Sequence, residues 1–347
     1  MKHYAGIDVS LECSSVCVVE AGGKIVREGK VASEPAALIA WFGSLGLEVE
    51  RIGLEAGPLS QWLYAAMRAA GLAVELLETR HVRDAFKSMP VKTDRKDARG
   101  IAQLMRLGWF RPVHCKSLGA QEVRALLGAR KLVQSKLFDV EMSLRGILRG
   151  FGRKVGPTTP RRFATRIREL VVGQATLEVV AEALLAVHAV LLEQLTGFEK
   201  RVRTMARDDE RVRLLMSTPG VGAIVALTYV SAVDDPKRFT SSKAVGAHFG
   251  LTPKKYQSGQ TDVTGRISKT GDAEVRTALY EAAHIILTRP VKGGALKSWG
   301  ARLARRAGMK KAKVALARKL AVVLHRMWVD GTRFNLTMPK APVAMAA

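Results

Sequence analysis

Apolar and polar positions change period along this chain, and the changes divide it. Between residues 4 and 31 they alternate over short runs, YAGID, SSVCVVE and KIVREGKV, broken at Leu11-Glu12 and Gly22-Gly23. That alternation predicts a meander of three strands. Ser33-Glu34-Pro35 signals a helix over residues 36–45, RIGLEAG from Arg51 reads as a buried strand ending on Glu55, and a helix over 59–70 precedes the short strand AVELL. The stretch VKTDRKDARGIAQLMRL, residues 91–107, returns to helical spacing, with Ile101, Leu104 and Met105 on the inner face. Residues 1–115 are therefore expected to form an α/β domain, a mixed sheet flanked by helices.

From residue 116 to 205 the period is helical throughout. Leu126, Val133, Leu137, Val140, Leu144 and Leu148 recur at spacings of three, four and seven, and a second such run covers residues 177–202. Two long amphipathic helices, joined through a Pro- and Gly-containing loop at 152–162, predict a helical hairpin packed within the chain or a coiled coil that pairs two chains. Residues 206–347 are expected to be mainly helical. Thr218-Pro219-Gly220-Val221-Gly222 before an apolar run has the form of a helix-hairpin-helix turn. A terminal basic helix over 298–329 would pack Leu303, Val314, Leu316, Leu320, Val323 and Leu324 and turn Arg302, Arg305, Arg306, Lys310, Lys311 and Lys313 outward.

Charge narrows the partners. The 347 residues carry 56 Lys and Arg against 31 Asp and Glu, a formal charge of +25, far more than solubility requires, so a polyanion is expected and nucleic acid comes first. Residues 1–60 hold five basic and eight acidic side chains, whereas residues 289–340 hold fourteen basic ones and Asp330 alone. An acidic beginning suits a cation and a basic end suits a phosphate backbone. Cys13, Cys17 and Cys115 make neither a disulfide framework nor a zinc knuckle, and a reducing cytoplasm fits them. The apolar stretch 177–195 is interrupted by Glu178, Glu182, His188 and Glu193, so no membrane span or membrane partner is expected.

Four acids carry the candidate chemistry. Asp8 closes the first strand, Glu55 closes the fourth, and Asp94 and Asp97 share one face at the mouth of the helix from residue 94. Acids in a first turn are also ordinary helix-dipole partners, and Thr93 or Asp94 is an ordinary cap. Four carboxylates at strand ends and a helix start have a chemical purpose if they share divalent cations, which stabilise the attacking and leaving oxygens of a phosphodiester.

G-I-D-V-S, L-E-A-G and K-T-D-x-x-D-A resemble the ribonuclease-H-like, RuvC-type domain of the DEDD transposases, insertion-sequence recombinases of which some are guided by a structured bridge RNA. The resemblance implies that Asp8, Glu55, Asp94 and Asp97 bind magnesium or manganese. Glu55 is followed here by Ala56-Gly57-Pro58 where the family has Ala-Thr-Gly. The segment FGLTPKKYQSGQTDVTGRISKTGDAEVRTAL resembles the same family's C-terminal transposase domain through Gly250, Leu251, Pro253, Lys254, Lys255, Ser258, Gly259, Ser268, Lys269, Gly271 and Arg276, with Val275 in place of Leu. It implies that Ser258 is the nucleophile. Read without the family, Ser258 is one of several serines in a polar loop; Lys254, Lys255, Gly259, Arg266, Lys269 and Arg276, with Arg305, Arg306, Lys310 and Lys311, are candidate contacts to nucleic acid. The expected partners are DNA, a guide RNA and further copies of the chain, dimer or tetramer, with a composite active site in a bacterial or archaeal cytoplasm. A metal-dependent junction nuclease and a non-catalytic nucleic-acid binder are the other readings.

Overall fold

Asp8 and Glu55 end neighbouring strands because of how the first sheet is built. The computed structural model describes residues 2–87 and 91–336; residues 337–347 of the expected third region lie outside them. β1 (His3–Asp8), β2 (Cys13–Glu20) and β3 (Ile25–Ala32) form the antiparallel meander. Helix α1 (Pro35–Gly43) leads to β4 (Val49–Glu55), which runs parallel to β1 with Leu54 beside Ile7. Helix α2 (Ser60–Ala69) leads to β5 (Val74–Leu77), parallel to β4, so the sheet order is β3-β2-β1-β4-β5. Two helices follow, α3 (Thr79–Phe86), which the hydrophobic pattern does not announce, and α4 (Asp94–Leu107).

Strand alternation sorts the side chains between two layers. Ala5, Ile7, Val16, Val18, Ile52 and Leu54 pack with Leu38 and Phe42 of α1 and Leu63 and Met67 of α2. Tyr4, Cys17 and Val19 pack on the other side with Ala98, Ile101, Ala102 and Met105 of α4. A boundary between Lys116 and Ser117 divides the chain into two compact units.

In the second unit α5 (Leu118–Gly150) and α7 (Ala175–Asp208) run antiparallel. Leu144 and Leu148 share a core with Leu177, Ala181 and Leu185, while Arg130 pairs with Glu199 and His188 with Glu141. The loop expected over 152–162 ends early, because Pro160 opens α6 (Pro160–Val171), whose Phe163, Ile167 and Val171 enter the same core. Proline at the first helical turn is favourable, not disruptive. Among the described residues α7 is long and apolar enough by composition to cross a membrane, despite its acids; its buried stripe, Leu177, Ala181, Leu185 and His188, packs within the hairpin.

Short helices α8 (Glu210–Met216), α9 (Ala223–Val233) and α10 (Ser242–His248) follow. The polar loop expected next is a β-hairpin, β6 (Pro253–Ser258) and β7 (Thr261–Ile267). After α11 (Ala273–Thr288), the single terminal helix expected over 298–329 is two, α12 (Gly294–Ala307) and α13 (Met309–Asp330), because Gly308 adopts a positive φ of 85° between them. Tyr229, Phe249, Leu279, Leu320 and Leu324 form the centre of this region, and Val202 and Ala206 from the end of α7 join them.

Candidate active site

Two glycines bring α4 onto the sheet. A Cβ on Gly6 would lie 2.3 Å from the Ala98 carbonyl oxygen and 2.4 Å from the Ala102 nitrogen, and one on Gly53 would meet the Ile101 and Met105 side chains at 2.6 and 2.9 Å. These are neighbours on paired strands, so the helix lies directly over the β1–β4 seam whose ends carry Asp8 and Glu55. Glycine inside a strand is a readable signal of close backbone approach, and the pattern of acids alone does not reveal it.

The start of α4 is also held by the edge strand of the sheet. Arg95 donates to Glu28 of β3 through Nε at 2.9 Å and Nη2 at 2.6 Å, and Arg99 donates to the same carboxylate through Nε and through Nη2 at 2.8 Å. The Arg99 hydrogen bond first, and that of Arg95 with it, holds Glu28 down at about 2 although its partial burial opposes this. Stability from this group is present above the ordinary carboxylate range and is lost as pH falls towards 2. Because Arg95 is solvent-exposed, the screened contribution is about 1–2 kcal/mol. Glu28→Gln is expected to lower urea stability by that amount at pH 7, with the difference from wild type shrinking as pH is lowered from 5 to 3.

Thr93, not Asp94, caps α4: its hydroxyl accepts from the Lys96 N–H at 3.2 Å. The capping bond therefore requires neither Asp94, which is exposed, nor Asp97, which is 9% exposed. Glu55 lies near Asp8 and Asp97, while Asp94 lines neither of the cavities that Glu55 does. Glu55 lines one cavity of about 350 Å³ with Asp8, Ser10 and Pro58, and a second of about 480 Å³ with Asp97, Lys92 and Asp84. Burial, then Asp97 and Asp94, pushes the Asp8 carboxyl up to about 6, and burial followed by Asp8 raises Glu55. Lys92 Nζ stands 4.0 Å from Asp97 Oδ2 and offsets part of this repulsion. The donor set, hard carboxylate oxygens at one end of a sheet, fits a divalent cation such as magnesium. Among the described residues no three His, Cys, Asp or Glu side chains converge closely enough to hold one ion, so the acids form a loose group that side-chain movement would have to close.

In the second unit Ser258 is the last residue of β6, opposite Thr261 across a two-residue turn in which Gly259 takes φ 54°. It is exposed, as are Lys254, Lys255 and Arg266 on the same ribbon, and Lys255 pairs with Asp262 at 3.2 Å. The motif glycines at the ribbon's foot have a steric reason. Gly250 and Gly271 both have positive φ, and a Cβ would meet the Thr270 carbonyl oxygen at 2.3 Å or the His248 carbonyl oxygen at 2.2 Å. Arg276 donates to the carbonyls of Thr270, Gly271 and Phe249 at 2.7, 3.1 and 3.3 Å, which gives this cation an anchoring use beneath the ribbon. Arg276→Ala would strand those acceptors and is expected to cost about 2 kcal/mol, read as lower thermal stability and early proteolysis at the ribbon. Arg305 and Arg306 occupy the last turn of α12, while Lys310 and Lys311 sit exposed in the first turn of α13, at the positive end of its dipole.

Comparison with known proteins identifies the family. Residues 5–152 match the DEDD_Tnp_IS110 transposase model, and residues 212–294 match the transposase model of the IS116/IS110/IS902 family. The chain is 30% identical over 328 residues, 92% of its length and 87% of the relative's, to the transposase for insertion sequence element IS1111A of Coxiella burnetii. It is 27% identical over 268 residues to the transposase for IS1328 of Yersinia enterocolitica, covering 76% of this chain and 79% of that one. A probable family 20 transposase of Pseudomonas aeruginosa is 25% identical over 285 residues, covering 79% and 82%. The mixed five-stranded sheet with its helices and the helical second unit fit a ribonuclease-H-like DEDD transposase, and the chain belongs to the IS110 family of these DNA transposases.

Proposed function

We propose that this transposase cuts and rejoins DNA through a covalent phosphoserine, with Ser258 as nucleophile and Asp8, Glu55, Asp94 and Asp97 as the acid group that supports the exchange. The Ser258 oxygen forms a bond to the scissile phosphorus, the DNA oxygen departs with the bonding pair and takes up a proton, and the serine proton passes to solvent. The phosphodiester energy is kept in the Ser258–phosphate bond, so a second DNA hydroxyl can reverse the step and join a new strand. A divalent cation held by the four carboxylates would supply stabilisation of charge developing on phosphate oxygens. Lys254, Lys255, Arg266 and Lys269 would hold the phosphates near Ser258, the small Gly259 would admit the backbone closely, and Arg305, Arg306, Lys310 and Lys311 would hold phosphates further along the bound nucleic acid. The turn before α9 would add backbone N–H donors to a phosphate.

The observation that carries this reading is the group around Glu55: carboxylates of β1, β4 and α4 face one another across two small cavities with Lys92 as their near cation. Serine and acids lie in different compact units, which suits a site shared between protomers, with the α5–α7 hairpin as the assembly element. Sequence choice would fall to a structured guide RNA, as no base-reading helix is evident among the described residues. The test is a search for a protein–DNA adduct on denaturing gels and by mass spectrometry, using magnesium, the element's ends and RNA transcribed beside the gene. An adduct mapping to Ser258 and absent from Ser258→Ala is expected. Undiminished cleavage by Ser258→Ala, with free ends, would replace this reading by a metal-dependent nuclease.

A further inference from the structure

A groove beside the ribbon has a form that duplex binding does not explain. Its volume is about 1030 Å³ and it runs between β7, α12 and α13. Six cations line it, Arg266, Lys269, Lys310, Lys311, Arg318 and Lys319, and no carboxylate is among the described residues that do. Its floor is apolar: Ile267, Trp299, Val314 and Val322 line it and are only partly buried by the protein's own packing. Along α13 the two kinds of side chain alternate on one stripe, Lys311, Val314, Arg318, Val322, four or so residues apart, so each turn presents a charge or an apolar step. Lys319 lies over the Trp299 ring, Nζ 4.4 Å from its centroid, so a base that stacks on this ring takes the place of the ammonium.

We infer that this groove binds an unpaired stretch of the DNA strand being cut, with bases on the Trp299–Val314–Val322 floor and phosphates on the six cations. The inference rests on the proposed reaction at Ser258 and adds to it the form of the substrate. A duplex keeps its bases stacked inside and offers phosphates outside, so it would leave the apolar floor uncovered. A single strand can place both at once, a base on an aromatic or aliphatic surface and its phosphate on a neighbouring cation. Position favours DNA at the cut over an RNA bound elsewhere. Thr264 at the groove wall pairs with Lys255, three residues along β6 from Ser258, a separation of about 10 Å along the strand. A nucleotide or two beside the scissile phosphate covers that distance.

The experiment is fluorescence anisotropy on the full-length protein in EDTA, where no cleavage chemistry occurs. Fluorescein-labelled twelve-nucleotide oligo(dT) is compared with a twelve-base-pair duplex and with oligo(U). Oligo(dT) should bind at least about 5-fold more tightly than either and quench tryptophan emission. Trp299→Leu, which keeps an apolar side chain, should weaken oligo(dT) about 10-fold, remove the quench and leave duplex binding within about 2-fold. Should that variant melt early, Lys310→Ala with Lys311→Ala serves instead, since both side chains are exposed; the log–log salt slope for oligo(dT) should fall by about 1.4. Equal affinity for oligo(dT) and duplex, with the variants weakening both alike, would overturn the inference while leaving phosphoserine chemistry standing. Tighter binding of oligo(U), or displacement of oligo(dT) by polyglutamate at equal charge, would overturn it in favour of RNA or an acidic protein segment. If oligo(dT) binds as expected but no Ser258 adduct forms, the mechanism fails and the groove stands.

Discussion

Asp8→Asn is expected to reduce metal-dependent strand cleavage by about 10³-fold or more and, in the same preparation, to raise the melting temperature of the metal-free protein at pH 7.5. The two effects share one cause. Burial and the charges of Asp97 and Asp94 push the Asp8 carboxyl up to about 6. A carboxyl whose native pKa exceeds its unfolded value binds its proton more tightly when folded, so its favourable contribution is complete below about 4 and is lost as pH rises through about 6. At pH 7.5 the folded protein therefore carries an ionised Asp8 at a cost. The full shift would correspond to roughly 3 kcal/mol, and since the carboxyl is only half buried, solvent screening reduces this to about 1–2 kcal/mol. Asn removes that cost without changing the shape of the side chain, which should appear as about 5 °C in melting temperature. Magnesium should raise the melting temperature of wild type and leave Asp8→Asn nearly unmoved. A variant that loses cleavage and also melts lower would show that Asp8 serves the fold, and the acid group would lose its claim to a cation.

Much of the first unit is legible in the sequence because each of its strands has a buried face. Alternation at Ala5, Ile7, Val16 and Val18 is a direct imprint of the two-layer packing, and Asp8 and Glu55 are readable as strand ends for the same reason. The ribbon at 253–267 leaves no such imprint: almost all of it is exposed, neither face selects apolar residues, and only the motif glycines mark its foot. The break at Gly308 is hidden because apolar spacing continues on both sides of it. Charge is legible in bulk and not in detail. The excess of Lys and Arg points to nucleic acid, but nothing in spacing reveals that Arg95 and Arg99 are tied to Glu28, sixty-seven and seventy-one residues away, or that Arg276 faces backbone carbonyls. Trp299 stands out by no motif or spacing; its place on a basic groove appears only once β7 and α13 are set beside it.

The proposed joint action of the acids requires the approach of α4 to the sheet, and that approach depends on two hydrogen atoms. Gly6→Ala is expected to destabilise the first unit by about 3 kcal/mol or more and to lower cleavage at least about 100-fold even under conditions where the protein remains folded. The added Cβ would lie 2.3 and 2.4 Å from backbone atoms of Ala98 and Ala102 and 2.8 Å from the Ile101 Cβ. A flexible side chain could swing away; helix backbone cannot, so α4 must lift by about an ångström or β1 must bend. Either movement carries Asp97 away from Glu55 and draws Arg95 and Arg99 off Glu28. Gly43→Ala, at the end of α1 with nothing within 4 Å of its Cβ, is the matched control and should be neutral or stabilising by up to about 1 kcal/mol. Urea unfolding of both variants with cleavage assays at a denaturant-free, low temperature separates the two consequences. Loss of stability with full activity would mean that α4 sits on the sheet only for packing. Loss of activity exceeding loss of folded protein would mean that the spacing between α4 and the β1–β4 seam is itself part of the active site.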